Sequence, residues 1–96
     1  MVMYDFGARL RELREKRGFS QSYAAARLNL SNTTISSYEA NTRYPSFEII
    51  SKLALLYNTT SDYILGIDNR EMVCIEGLSE NQAAIITTLI DEFRSQ

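Results

Sequence analysis

Gln21-Ser22-Tyr23-Ala24-Ala25-Ala26-Arg27-Leu28-Asn29-Leu30-Ser31-Asn32-Thr33-Thr34-Ile35-Ser36-Ser37-Tyr38 decides the fold. Ala24, Ala25 and Leu28 recur at i, i+1 and i+4, and Ile35 and Tyr38 at i and i+3, so each set lies on one helical face. Asn29 stands between the two patterns, and asparagine tolerates the left-handed conformation that ends a helix. Ser31 is the next N-cap, its hydroxyl placed to accept a backbone N–H of the second helix. Ala25 is small where two steeply crossed helices crowd each other. The pattern is a helix-turn-helix, with its second helix free to enter a DNA major groove.

Outward from this stretch, the predicted elements are helices. Asp5 caps a first helix to about Arg17, with Phe6, Leu10 and Leu13 facing inward. Gly18 stops it in a left-handed conformation, and Phe19 folds back onto its last turn. Ser20 caps the second helix. Glu39 to Tyr44 reads as a loop, and Pro45 holds Tyr44 extended. Ser46 opens a fourth helix to about Tyr57. Its inward stripe is Phe47, Ile50, Leu53, Ala54 and Tyr57. Ile49, Leu55 and Leu56 fall off that stripe, which predicts a helix buried on more than one side, in part by a neighbouring subunit. Thr60 caps a short helix with Tyr63, Ile64 and Leu65, ended by Gly66.

Residues 67–77 read as a linker, either packed on the domain or a disordered tether. Cys74 within it is expected as a buried small hydrophobe rather than a redox thiol. Ser79 and Gln82 form a capping box for a last helix over 78–96. Ala83, Ile86, Ile90 and Phe93, with Ile85 and Leu89 alongside, make a broad apolar stripe. It must be covered, by its own domain or by pairing with a copy of itself or another helix; pairing is favoured because the linker sets the helix apart.

A chain of 96 residues holds one domain and little more, and oligomerisation is a natural source of added stability. No apolar run approaches the length of a membrane span, and no signal-peptide pattern opens the chain, so the expected compartment is the cytoplasm. One cysteine fits a reducing environment. The absence of histidine removes imidazole acid–base chemistry and most zinc patterns. There is no Gly-rich phosphate loop, no metal-spaced cluster and no serine beside a base, so neither an enzyme nor a bound cofactor is expected.

The net charge of −2 looks wrong for a nucleic-acid binder, but its distribution does not. Residues 1–45 carry seven Arg/Lys against four Asp/Glu, net +3, and residues 46–96 carry three against eight, net −5. A basic front and an acidic back suit a protein that meets phosphate with one end; the bland alternative is chance patterning in a small helical chain.

Residues 9–66 resemble the phage-repressor (Xre/Cro-like) helix-turn-helix family of bacterial and phage regulators. The resemblance lies in Leu10-Arg11-Glu12-Leu13-Arg14, Gly18-Phe19-Ser20-Gln21, Thr34-Ile35-Ser36-Ser37-Tyr38-Glu39, Pro45-Ser46-Phe47, Lys52-Leu53-Ala54 and Ser61-Asp62-Tyr63-Ile64-Leu65-Gly66. Ala24 departs from the family's larger aliphatic residue and Asn29 from its glycine. The implied fold is all-α: a five-helix repressor-like DNA-binding domain over 1–66, a linker over 67–77 and an added C-terminal helix over 78–96 as dimerisation element.

The resemblance also implies roles. Asn32, Thr33, Ser36 and Ser37 take the base-reading positions of the recognition helix, at about 31–39. Asn can pair bidentately with adenine and a Thr methyl can touch a thymine methyl; the bland alternative is an ordinary solvated helix start. Gln21 and Thr34 are implied phosphate contacts, and Arg43, Asn41 and Tyr44 join them in the loop that follows. Arg14 and Glu39 match a structural ion pair, while Arg9, Arg27 and Lys16 read as surface charges. The recognition helix has no Arg or Lys, so the commonest guanine contact is absent and the site leans to A/T, read in part through water or shape. Ile49, Leu55 and Leu56 with Ile86, Leu89, Ile90 and Phe93 are the candidate dimer surfaces. The expected function is a transcriptional regulator, a repressor by preference, that binds a palindromic double-stranded operator as a homodimer, with a protein or peptide antagonist as a possible further partner and no membrane contact. The rival is an antitoxin-like or antirepressor-like helical module that binds another protein.

Overall fold

Six helices in the order α1 (Phe6–Lys16), α2 (Gln21–Leu28), α3 (Asn32–Glu39), α4 (Phe47–Leu56), α5 (Ser61–Leu65) and α6 (Glu80–Arg94) make up the computed structural model, which describes residues 4–72 and 75–95. No strand occurs among the described residues. The expectation for Cys74 lies outside them.

Each helix starts where a short polar side chain can accept an orphan N–H. Asp5, Ser20, Ser31, Ser46, Thr60 and Ser79 accept from the backbone of Ala8, Tyr23, Thr34, Ile49, Tyr63 and Gln82. The capping box of α6 is complete, since the Gln82 side chain accepts in return from the Ser79 N–H at 3.0 Å. The left-handed stops follow the same logic at the other ends. Asn29 (φ 57°) ends α2 as the sequence predicts, and Asn41 (φ 62°) and Asn58 (φ 53°) do the same after α3 and α4, where the sequence reading has only a loop and a break. Glu39 belongs to the last turn of α3 rather than to the loop, because Arg14 holds its side chain from inside.

Five helices share one core. Leu10 and Leu13 of α1, Ala24 and Ala25 of α2, Ile35 and Tyr38 of α3, Ile50, Leu53 and Ala54 of α4, Tyr57, and Tyr63 and Ile64 of α5 are buried together with Phe6. Ala24 is fully buried and Ala25 nearly so, which lets α2 and α3 approach closely at the turn. Phe47 does not join the stripe expected of it. At the first position of α4 it is 79% exposed, because the helix enters the core one turn later at Ile50. Ile49 and Leu56 are half-buried against the core and Leu55 stands open, so the second apolar side of α4 is only partly covered within one chain.

Of the cations read as surface charges, Arg9 is half-buried and Lys16 is exposed, and both tie down the segment after α5. Arg9 donates to the Tyr63 carbonyl at 2.7 Å and lies 3.9 Å above the Tyr63 ring. Its other nitrogen reaches Asn69, and Lys16 meets Glu71 at 2.8 Å, which also accepts from the Tyr63 hydroxyl. A guanidinium or ammonium near carbonyls left open by a short helix gains hydrogen bonds that water would otherwise supply. The segment after α5 is thereby strapped to α1 and α5 as far as Glu71. Beyond it α6 buries no residue and makes no extensive contact with another helix.

Gly7 carries a constraint that the sequence reading missed. A Cβ there would sit 2.2 Å from the Glu39 carbonyl oxygen and 2.7 Å from its carbon, so α1 touches the backbone end of α3. The Gly7 N–H also donates to the Asn41 side chain at 2.9 Å. Helix propensity alone favours alanine over glycine by about 1 kcal/mol. The clash is with backbone, which cannot rotate away, and overpacking of this kind costs roughly 1–3 kcal/mol or more. Gly7→Ala is therefore expected to lower the midpoint of urea unfolding. A variant as stable as the parent would mean that α1 and α3 can separate without loss.

Candidate nucleic-acid interface

With Ile35 and Tyr38 anchored in the core, the opposite face of α3 is fixed outward. Asn32, Thr33 and Ser36 are exposed and Ser37 is half-buried. These four line one shallow concave surface together with Gln21 from the start of α2 and with Ala40 and Thr42 beyond α3. The structure thus brings together the base-reading candidates and Gln21. It adds Ala40 and Thr42, which carry no sequence signal of their own. They arrive because the loop folds back under α3: the Ser37 carbonyl accepts from the Thr42 N–H at 3.0 Å and from the Thr42 hydroxyl at 3.2 Å.

The remaining candidates divide. Arg43 is exposed beside this surface, its N–H 3.4 Å from the Ser37 carbonyl and its guanidinium without a hydrogen-bond partner among the described residues. Tyr44 is 73% exposed, with its ring centroid 6.0 Å from that of Phe6. Thr34 is half-buried and its hydroxyl is engaged with the Ser31 hydroxyl at 2.7 Å, inside the cap of α3. Asn41 is engaged at both ends of its amide: the oxygen accepts from Gly7 and the nitrogen donates to Asp5 at 2.8 Å. Its contact holds the Asp5 carboxyl below the usual carboxylate range, with the Ala8 N–H adding to the effect. Asn41 ties the loop to the start of α1 and, exposed there, keeps one amide N–H beyond these two contacts.

Gln21 is placed by a buried charge. The Glu39 carboxylate accepts from Arg14 Nε at 2.7 Å and from Arg14 Nη2 at 3.0 Å, and its Oε1 also accepts from Gln21 Nε2 at 3.2 Å. Arg14 Nη1 donates to the Phe19 carbonyl at 2.7 Å. The two charged side chains are 11% and 5% exposed. The pair therefore joins α1, the α1–α2 turn, the first residue of α2 and the last of α3. Gln21 keeps one N–H and its carbonyl for a ligand at the electropositive end of α2. Hydrogen bonding to Glu39 raises the Arg14 pKa. Burial, with the Glu39 charge beside it, pushes the Tyr57 hydroxyl up to about 12.

Chemically the surface is a strip of short hydroxyls, amides and methyls, with a cation at its edge and no nucleophile–base pair. No group of three or more metal-ligating side chains occurs among the described residues. No helix among them is long and apolar enough to cross a membrane.

Comparison with known proteins places the family and the fold. Residues 10–64 match the family described as Helix-turn-helix. The HTH-type transcriptional regulator ImmR of Bacillus subtilis (strain 168) is 37% identical over 86 residues, 90% of this chain and 62% of ImmR. The chain thus spans about three fifths of that relative's length. Among solved structures, the P22 c2 repressor in complex with a synthetic operator superimposes with a TM-score of 0.65 at 27% identity, over 69% of this chain and 100% of that one. One chain of a SinR–SinI protein complex covers more, 95% of this chain and 99% of its own length, with a TM-score of 0.61 at 21% identity, a likeness of fold.

Removing either partner of the ion pair leaves a buried charge unmatched, which costs roughly 3–5 kcal/mol. Arg14→Ala and Glu39→Ala are each expected to lower thermal stability on that scale, and Glu39→Ala also releases Gln21. Melting curves that coincide with the parent's would show that water replaces the lost partner.

Proposed function

The chain belongs to the helix-turn-helix family, and on that premise we infer that it is a sequence-specific DNA-binding transcriptional regulator, a repressor by preference, acting as a homodimer on a palindromic operator in the cytoplasm. The observation that carries this reading is the concave face of α3. It is polar, unobstructed and continuous with Gln21 at the start of α2 and Thr42 in the loop. α3 lies along the major groove, with Asn32 and Thr33 at base edges and Ser36 and Ser37 deeper along the helix. Gln21, Arg43 and Tyr44 meet the flanking sugar–phosphate backbone. Thr34 and Asn41 support these contacts from within the protein, through the α3 cap and the loop. The P22 c2 repressor, solved in complex with a synthetic operator, supports a DNA-binding role by likeness.

The absence of Arg and Lys from α3 favours A/T-rich half-sites, read by amide and methyl contacts and by shape. One such helix reads only a few base pairs, and a two-fold dimer doubles the contact at a spacing of about 34 Å. The apolar stripe of α6 and the open side of α4 are the surfaces available for it. The same stripe also favours the rival reading, an antitoxin-like or antirepressor-like module whose α6 binds a foreign protein; that protein would produce no shift of an operator duplex on its own.

A duplex selected by the purified protein from a random pool separates these readings. Asn32→Ala and Thr33→Ala should each weaken binding to the selected duplex by about 1–3 kcal/mol and leave random DNA unchanged. Equal losses on both would remove them from base readout. Arg43→Ala should weaken binding to every sequence and reduce the salt slope by about one counterion; an unchanged slope would take it off the phosphate backbone.

A further inference from the structure

Between α2 and α4 the surface opens into a groove lined by Leu28, Leu55 and Leu56, with Arg27 and Lys52 on its rim. Leu55 is 83% exposed there, on a helix whose other side is core. α6 presents the matching problem. Ile85, Leu89, Ile90 and Phe93 are 39–71% exposed on a well-capped amphipathic helix that buries no residue. We propose that the α2–α4 groove receives α6 of a second copy of this chain, each copy giving its helix to the other. This rests on the homodimer reading above and names the two surfaces that meet.

Three observations select this occupant. The first is charge. α6 carries Glu80, Asp91 and Glu92 against Arg94 alone. Glu92 follows Leu89 by three residues and Ile85 by seven, which puts a carboxylate along one edge of the stripe. That edge faces the Arg27 and Lys52 rim when the stripe lies in the groove. Arg94, four residues after Ile90, borders the other edge, away from that rim. The second is the path of the chain. Lys16–Glu71, Tyr63–Glu71 and Arg9–Asn69 strap residues 69–71 to α1 and α5, and α6 then stands clear of its own helices. The third is closure. A reciprocal exchange covers both stripes and both grooves under one two-fold axis, whereas one-way docking leaves one of each open to propagate. A helix of 15 residues is also long enough, at about 22 Å, to span the 10-residue α4.

The test uses the full chain and two variants with circular dichroism like the parent's. The groove variant is Leu55→Glu with Lys52→Glu; the tail variant is Leu89→Glu with Phe93→Glu. All four positions are exposed, so the core is untouched. Sedimentation should show a parent dimer at micromolar concentration, each variant weakened roughly tenfold or more. An equimolar mixture should regain association, since it contains one intact groove and one intact tail. A groove variant that stays dimeric while the tail variant falls apart would show that the tails pair with each other. That outcome overturns the docking and leaves the homodimer standing. Variants that are both monomeric and fail to associate on mixing also overturn it. A monomeric parent removes the homodimer reading itself, and the docking with it.

Discussion

The Arg14–Glu39 pair is the interaction on which the geometry of the interface depends. A guanidinium and a carboxylate this far from water are stable only when each is fully hydrogen-bonded. Arg14 meets that demand with two bonds to Glu39 and one to the Phe19 carbonyl, and Glu39 takes a third donor from Gln21. No buried side-chain nitrogen or oxygen among the described residues lacks a partner. Four places in the chain are therefore set relative to one another by one charge pair. A few residues away, the backbone of Glu39 rests against Gly7, with no room for a methyl group between them. The end of α3 is thus held twice, by a side chain from one turn of α1 and by the backbone of another. The outward face of α3 is as rigid as these two attachments make it.

Cations are distributed by the same economy. The front half of the chain is basic, yet much of that charge is engaged by partners within the same chain, buried at Arg14 and at the surface for Lys16 and Arg11. Arg14 is buried in its pair, Arg9 lies against Tyr63, Lys16 meets Glu71 and Arg11 meets Glu15. Arg43, exposed beside the concave face, has a guanidinium with no hydrogen-bond partner among the described residues. An interface with so few cations relies on shape, helix dipoles and short polar side chains more than on bulk attraction. On the proposed docking the acidic back half has a use as well, since it suits α6 to the Arg27 and Lys52 rim of the groove.

Five helices complete their core without α6. Large apolar side chains nevertheless remain in the open, among them Leu55 on α4 and Ile85, Leu89, Ile90 and Phe93 on α6. On the proposed reading these are the surfaces that a second copy covers. Capping is complete at α6, so its helix is defined locally even where nothing packs against it. Local definition with open apolar faces is what an assembly element requires.

The order and limits of the helices were written in the sequence, because caps and stops act within a few residues. Ser20, Ser31, Ser46 and Thr60 each accept the N–H three residues on, a contact that needs no tertiary help. The outward residues of α3 follow equally, once Ile35 and Tyr38 are read as the inner face. What needed the tertiary structure involves partners distant along the chain. Gly7 is an unremarked glycine in a helix until Glu39 arrives against it. Asn41 reads as a loop amide near phosphate until Asp5 and Gly7 engage both its ends. Arg9 reads as solvent charge until Tyr63 lies beneath it, and Phe47 reads as core until α4 is seen to enter the interior a turn later. Periodicity shows which face of a helix is apolar, because that depends on the helix alone. Which atoms meet that face depends on how five helices pack together, and no single segment contains that information.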